Sequence, residues 1–304
     1  MLAVGCLAFA TAVVWAQMPR MGGGRGRSRG QGSIYYTEGG QAVDIDTVQT
    51  ARETLPMVTD FANWTNAVTF EQDVFTYARI IFESNGWHDS RGWINDYPDA
   101  DLNLSHRLQQ FTSVRSDPNG RVIKITDPRL ADYPVIFASQ PGRMNLTEEE
   151  VQILRKYFAN GGTLVGDDMW GERDWGYFEE EMKRILPEMK WTDLTMEHPL
   201  FHSVYNLKPP MNRLQVPSIH WWQRLEGQDP ATAHVSRNRG PGSEDMHVRA
   251  WVDKRQHILV VGLMNTDTGD GFERESEEVE YFQEIAEPRA YPFAINLIFY
   301  LMTH

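Results

Sequence analysis

Residues 134–171 spell a strand, a helix and a second strand without interruption, and that order restricts the chain to an α/β architecture with a parallel sheet. Val135, Ile136 and Phe137 form a short apolar run closed by Gln140-Pro141-Gly142, the pattern of a strand covered on both faces. Thr147 followed by Glu150 fits a capping box, in which hydroxyl and carboxylate satisfy each other's free amides at a helix start. Val151, Leu154 and Phe158 then recur on one helix face, and Asn160-Gly161-Gly162 supplies a left-handed stop. Thr163, Leu164 and Val165 resume a strand, so the crossover is short, parallel and right-handed. Ligands of such sheets sit beyond the carboxyl ends of the strands, where Asp167 and Asp168 fall.

The rest of the chain extends this pattern. Phe75, Tyr77, Ile80, Ile81 and Phe82 predict a first strand ending at Ser84-Asn85-Gly86, and Asp96-Tyr97-Pro98-Asp99-Ala100-Asp101 reads as a loop. Leu104, Leu108 and Phe111 make a helix face, Arg121 to Ile125 a second strand, and Tyr177 to Ile185 a helix that Pro187 ends. Residues 207–245 are rich in Pro, Gly, Asn and Arg and read as a long insertion. His247–Val252 and His257–Leu263 flank Asp253-Lys254-Arg255-Gln256 as a β-hairpin. Pro292 to Met302 is almost wholly apolar but shorter than the roughly 20 residues of a membrane span, so it reads as a buried core helix. The expected fold is a doubly wound, mostly parallel sheet with helices on both faces, over residues 70–304. Residues 34–69 lack clear periodicity and read as an N-terminal arm or a leading helix near 47–60.

Leu2 to Ala16 is apolar and uncharged, and Val14-Trp15-Ala16 before Gln17 has the small-residue pattern of a signal peptidase site. Residues 1–16 are therefore read as a secretory signal and 17–33 as a Gly/Arg-rich linker; a retained anchor or a lipid-modified Cys6 are the alternatives. The exported protein would be periplasmic or extracellular, with no membrane span after cleavage. Four of the 29 basic residues and none of the 42 acidic ones precede Ile34, so residues 34–304 carry a net charge of −17. Such a domain disfavours nucleic acid and tolerates cations or basic partners.

Several dispersed blocks carry a resemblance: Asp96–Asn103, Gly161-Gly162 through Asp167-Asp168-Met169-Trp170-Gly171, His198-Pro199-Leu200-Phe201-His202, Asn265 through Glu273, and Tyr291-Pro292 to His304. From about Phe70 to His304 the chain resembles the domain-of-unknown-function family 4159. The resemblance implies a flavodoxin-like sheet, since that family is similar in fold to class I glutamine amidotransferases and trehalose-utilization proteins, and its relatives are often envelope proteins. Amidotransferases use a cysteine on a strand-to-helix elbow. The one cysteine here, Cys6, lies in the signal-like segment, so thiol-based glutamine hydrolysis is excluded, and no Gly-x-Ser-x-Gly elbow replaces it.

Three acidic turns are the strongest candidates for chemistry. Asp167 and Asp168, then Asp96, Asp99 and Asp101, then Asn265, Asp267 and Asp270 each follow a strand, and hard oxygen ligands of this kind suit calcium or magnesium. Their alternative role is capping helices and closing turns. His198 and His202 have a spacing that could serve zinc, though no third ligand is evident; His88 is a possible base, and Arg143 a candidate ligand contact. Trp87, Trp93 and Trp170 could line a carbohydrate-facing crevice, with Trp175, Trp221 and Trp222 also in or near loops. Two functions remain open. One is a non-catalytic ligand-binding or assembly module of the cell envelope, partnered by an envelope protein or a carbohydrate; the other is a metal-assisted hydrolase acting on a glycan or amide.

Overall fold

The alternation within β-strands decides the layering. In the computed structural model, which describes residues 33–57, 62–66, 73–85, 92–224, 241–275 and 278–304, Val135 and Phe137 enter one core cluster while Ile136 and Ala138 enter the other. The signal and nearly all of the linker, with Trp87 and His88, lie outside the described residues.

An antiparallel hairpin, β1 (Ile34–Tyr36) and β2 (Ala42–Asp44), comes first. The main sheet is built from β3 (Ala78–Ile81), β4 (Arg121–Lys124), β5 (Val135–Ser139), β6 (Thr163–Met169), β7 (Trp191–Asp193), β8 (His247–Val252) and β9 (Ile258–Met264) in the order β4-β3-β5-β6-β9-β8-β7. Along that order the first five are mutually parallel, β8 runs antiparallel to β9, and β7 at the edge runs antiparallel to β8. The chain winds outward from β3 to β4, then returns to place β5 on the other side of β3, so its winding reverses between β3 and β5. The protein is thus a mixed α/β structure with a mostly parallel sheet.

Helices α1 (Asp99–Phe111), α2 (Glu148–Ala159), α3 (Gly171–Ile185), α4 (Ile219–Arg224), α5 (Thr268–Glu273), α6 (Val279–Tyr281) and α7 (Tyr291–Thr303) complete the chain, with a π-helical segment over Phe282–Ala290 leading into α7. One cluster holds Val151, Leu154 and Phe158 of α2 with Trp175, Phe178 and Met182 of α3. The other holds Leu104 and Leu108 of α1, Phe272 of α5, and Phe293, Leu297 and Ile298 of α7. Each such side chain contributes about 1.5–3 kcal/mol by leaving water.

The capping box at Thr147 is formed, with Thr147 Oγ1 accepting from Glu150 N at 3.3 Å and Glu150 Oε2 accepting from Thr147 N at 2.8 Å. At the other end of α2, a Cβ on Gly162 would lie 2.3–2.5 Å from the Tyr157 ring. That ring is held by its hydroxyl, which donates to the carbonyls of Tyr133 at 2.8 Å and Thr163 at 3.2 Å. Gly162→Ala is therefore expected to cost about 1–3 kcal/mol through overpacking, read by urea denaturation. A midpoint within error of wild type would contradict this packing.

Three expectations need correcting. The leading helix near 47–60 reduces, among the described residues, to one 3-10 turn, Ala51–Glu53, because Thr54 returns to extended backbone and Pro56 disfavours helix at Leu55. Asp99 and Asp101 are not loop residues: they open α1, directly after Pro98. Helix α3 begins at Gly171 rather than Tyr177, since Trp170 already has the extended backbone of a cap. The 207–245 stretch carries a short turn at Met211–Leu214 and then α4; residues 225–240 lie outside the described residues.

Candidate functional site

The parallel strands β3, β5, β6 and β9 are neighbours, so the loops leaving their carboxyl ends meet at one edge of the sheet. At that edge β6 carries a bulge. Gly166 pairs with Gly262 and Met169 with Met264, so Asp167 and Asp168 together face one residue of β9, and Asp168 takes a left-handed φ of 57°. A bulge of this kind re-aims side chains out of the ladder. Asp96 after β3 and Asn265 after β9 also sit at left-handed φ, each 60°.

Six carboxylates gather here. Asp96, Asp168, Asp267, Asp270 and Glu273 are each 1–6% exposed, and Asp167 is partly buried. Asp96 Oδ1 accepts from Asn95 Nδ2 at 2.8 Å, and Ser139 Oγ lies 3.5 Å from its Oδ2. Asp168 accepts from Gln140 Nε2 at 2.8 Å, Asn95 Nδ2 at 3.3 Å and Trp170 Nε1 at 2.6 Å. Asp267 caps α5 by accepting from Asp270 N at 3.1 Å, and Asp270 accepts from Ile219 N at 2.6 Å. Asp167 Oδ2 accepts from Thr268 Oγ1 at 2.5 Å and Gly269 N at 2.9 Å, while its Oδ1 is buried without a hydrogen bond. A Cβ on Gly269 would sit 2.1 Å from Asp96 Oδ2, so only glycine lets the loop after β3 press its carboxylate against the backbone of α5.

Burial and the charges around them push protons onto Asp96, Asp167, Asp267, Asp270 and Glu273. Burial raises Asp96, with Asp270 and Asp168 adding to it; burial likewise raises Asp267, with Asp168 and Asp270 next. Glu273 is raised by burial and by Asp96, and Asp270 by burial against the opposing charge of Arg274. Asp167 is pushed up to about 7, chiefly by burial and further by Asp168, against the hydrogen bonds from Thr268 and Gly269. Arg274 is the cation set among them, with Nη2 2.7 Å from Glu38 of the β1–β2 turn and 3.3 Å from Glu273, and Nε 4.0 Å from Asp270.

Other residues singled out by sequence serve the scaffold. Asp101 pairs with Arg79 through contacts of 2.6–3.0 Å, both side chains being almost wholly buried. Asp99 accepts from Met57 N at 3.1 and 3.2 Å, tying the arm to α1. Asn265 donates to the carbonyls of Gly242 and Asp245 and accepts from Gly171 N. None of these three belongs to the group of carboxylates in mutual ligating range. Trp93, 1% exposed, packs on Tyr35 and Tyr97, and Trp170, 4% exposed, is bonded to Asp168, so neither offers an open face to a sugar. Trp175 is core against Trp251 and Trp191; Trp222 packs edge-on against Tyr281, and Trp221 is partly exposed in α4. His198 caps its own turn by accepting from Leu200 N, with burial lowering its pKa, and His202 bonds Asn206 and the Met196 carbonyl. The structure does not bring them to the carboxylates as a zinc pair. Arg143 lies 3.8 Å from Asp174 in the turn after β5.

Glu273 was not among the sequence candidates. Its signal is the spacing Asp267, Asp270, Glu273, which places the last two one turn apart on α5.

The sequence profile of a family described as Domain of unknown function (DUF4159) matches residues 78–302. The chain belongs to this family. A comparison with curated proteins gives no match. The DUF4159 span contains all six carboxylates and Arg79, whereas Glu38, which reaches Arg274, lies before it.

Proposed function

We propose that this chain is a carboxylate-based hydrolase acting on a glycan or an amide at the crevice beyond β3, β5, β6 and β9. The observation that carries the reading is the convergence of Asp96, Asp167, Asp168, Asp267, Asp270 and Glu273 where the sheet reverses its winding, the place where open α/β sheets bind ligands. The five parallel strands run β4-β3-β5-β6-β9, which corresponds to the flavodoxin-like order 2-1-3-4-5, with β8 and β7 added at the edge. That order supports the kinship with class I glutamine amidotransferases that the motifs imply. Thiol chemistry has no place on it: the left-handed positions following β5, in the bulge of β6 and following β9 carry Gln140, Asp168 and Asn265. The reaction instead uses water as nucleophile.

Asp167 is suited to move the proton. Held near neutrality, it can take a proton from water and return it to the leaving group once the site admits water, and its Oδ1 makes no hydrogen bond that would compete. Asp167→Asn is expected to lower kcat by a hundredfold or more against peptidoglycan and a panel of chromogenic glycosides and anilides, with Tm kept or raised. Wild-type kcat/KM should climb with pH through about 7 as Asp167 ionises. Undiminished turnover by the variant, or no turnover by wild type on any of these with divalent cations present, would defeat the reading.

A second reading, a ligand-binding module of the cell envelope partnered by carbohydrate or by an envelope protein, is favoured by the structural engagement of Asp99, Asp101 and Asn265. Saturable glycan binding by wild type without turnover would select it. Both readings place the protein outside the cytoplasm, on the signal-like character of Leu2 to Ala16.

A further inference from the structure

We infer that Asp96, Asp270 and Glu273 form the binding site of a divalent cation with oxygen ligands, calcium-sized, at the hydrolytic crevice. This inference supplies the cofactor of the function proposed above and deepens that reading. One carboxylate oxygen from each of the three residues lies within 4.8 Å of the others. Three carboxylate oxygens that close to one another can share the coordination sphere of one divalent cation, whose oxygen ligands lie at about 2.0–2.6 Å from it. Magnesium gives up its water reluctantly and is seldom held by protein ligands alone, so an enclosed set of carboxylates suits calcium better.

A second observation is independent of the clustering. Glu273 is 1% exposed, and its Oε2 has no hydrogen bond, although it belongs to the group facing Asp96 and Asp270. Arg274 Nη2 is 3.3 Å away, but it sits closer to Glu38, at 2.7 Å. The guanidinium meets this oxygen without hydrogen-bond geometry and is shared with Glu38, so the oxygen keeps accepting capacity that a bound cation can use. Charge agrees: three ionised ligands against one guanidinium leave two negative charges. Asp168 and Asp267 stand next to the site and each already accepts hydrogen bonds, which suits carboxylates that orient and polarise the ligands. Gly269 completes the cradle, because any side chain there would occupy the position of Asp96 Oδ2.

The inference is tested by titrating the chelator-treated chain with calcium, manganese and magnesium chlorides, following heat and Tm without any substrate. Wild type is expected to bind one ion, calcium more tightly than magnesium, and to gain about 5–10 °C in Tm at a hundredfold excess over Kd. Glu273→Gln and Asp96→Asn should each weaken binding at least tenfold. In the absence of cation, Glu273→Gln should melt no lower than wild type, which separates lost binding from lost folding. No heat and no Tm shift with any of the three ions would overturn the site, as would Glu273→Gln binding like wild type. Cation binding without turnover removes only the hydrolase reading, and turnover unaffected by chelation removes only the cation.

Discussion

Asp101→Ala is expected to destabilise the protein by about 3–5 kcal/mol, leaving little folded material at 37 °C. Arg79 lies in β3, a strand buried along its whole length, and is 2% exposed. Its guanidinium gives Nε and Nη2 to Asp101 and Nη1 to the carbonyls of Trp93 and Asn95, both at 2.9 Å. Removing Asp101 strands that charge in the interior, and the cost of an uncompensated buried ion exceeds anything the pair itself adds. The same guanidinium pins the loop that presents Asp96, so any folded remainder should also bind cation more weakly. Asp99→Ala, which removes a carboxylate bonded to Met57 N, should cost about 1 kcal/mol. Urea denaturation of the two variants side by side is the measurement. A loss below about 1 kcal/mol for Asp101→Ala would mean that Arg79 finds water or another anion, and the structural assignment of Asp101 would fail.

The second large effect is a reversed dependence of stability on pH. For most proteins carboxylates are lowered by folding; here Asp96, Asp167, Asp267, Asp270 and Glu273 are raised, with burial the leading cause for each. A group whose folded pKa is raised holds its proton longer in the folded state, so its stabilisation is complete below the unfolded value near 4 and is lost as pH climbs through the folded value. For Asp167 that window runs from about 4 to about 7 and is worth up to about 4 kcal/mol. Half-buried Asp127, lowered to about 2 chiefly by its hydrogen bond from Arg129, works the other way and only in stronger acid. Chelated protein should therefore melt about 5 °C or more lower at pH 8 than at pH 5. Calcium should shrink the gap by binding the ionised carboxylates, with an affinity that rises with pH. A Tm that increases from pH 5 to pH 8 in chelator would show that these groups are solvated and would remove the basis for a closed ionic site.

The reach of the sequence can be judged residue by residue. The capping box at Thr147 and Glu150, the hairpin through Asp253–Gln256 and the buried helix ending the chain are local features set by neighbours within four residues or by continuous apolarity, and all three are present. Strand β7 passed unread because Trp191-Thr192-Asp193 is only three residues long and owes its pairing to Ala250 and Arg249, far along the chain. Position after a strand points Asp96, Asp167, Asp168, Asp267 and Asp270 to one edge of the sheet, but it points Asp99, Asp101 and Asn265 there equally, and these three are taken up by the scaffold. Glu273 escaped because α5 has six residues, too few to show a periodic face.

What the chain alone determined is the succession of strands and helices and the chemical type at their ends: acid-rich, thiol-free turns beyond a parallel sheet. Which acids serve the scaffold and which serve the site was decided by tertiary structure, because identical carboxylates differ only in what surrounds them. Asp101 is neutralised by Arg79, brought from 22 positions earlier, whereas Glu273 meets Asp96 from 177 positions away and keeps an oxygen without a hydrogen bond. Burial and charge separation are properties of the folded whole, so no window along the sequence contains them.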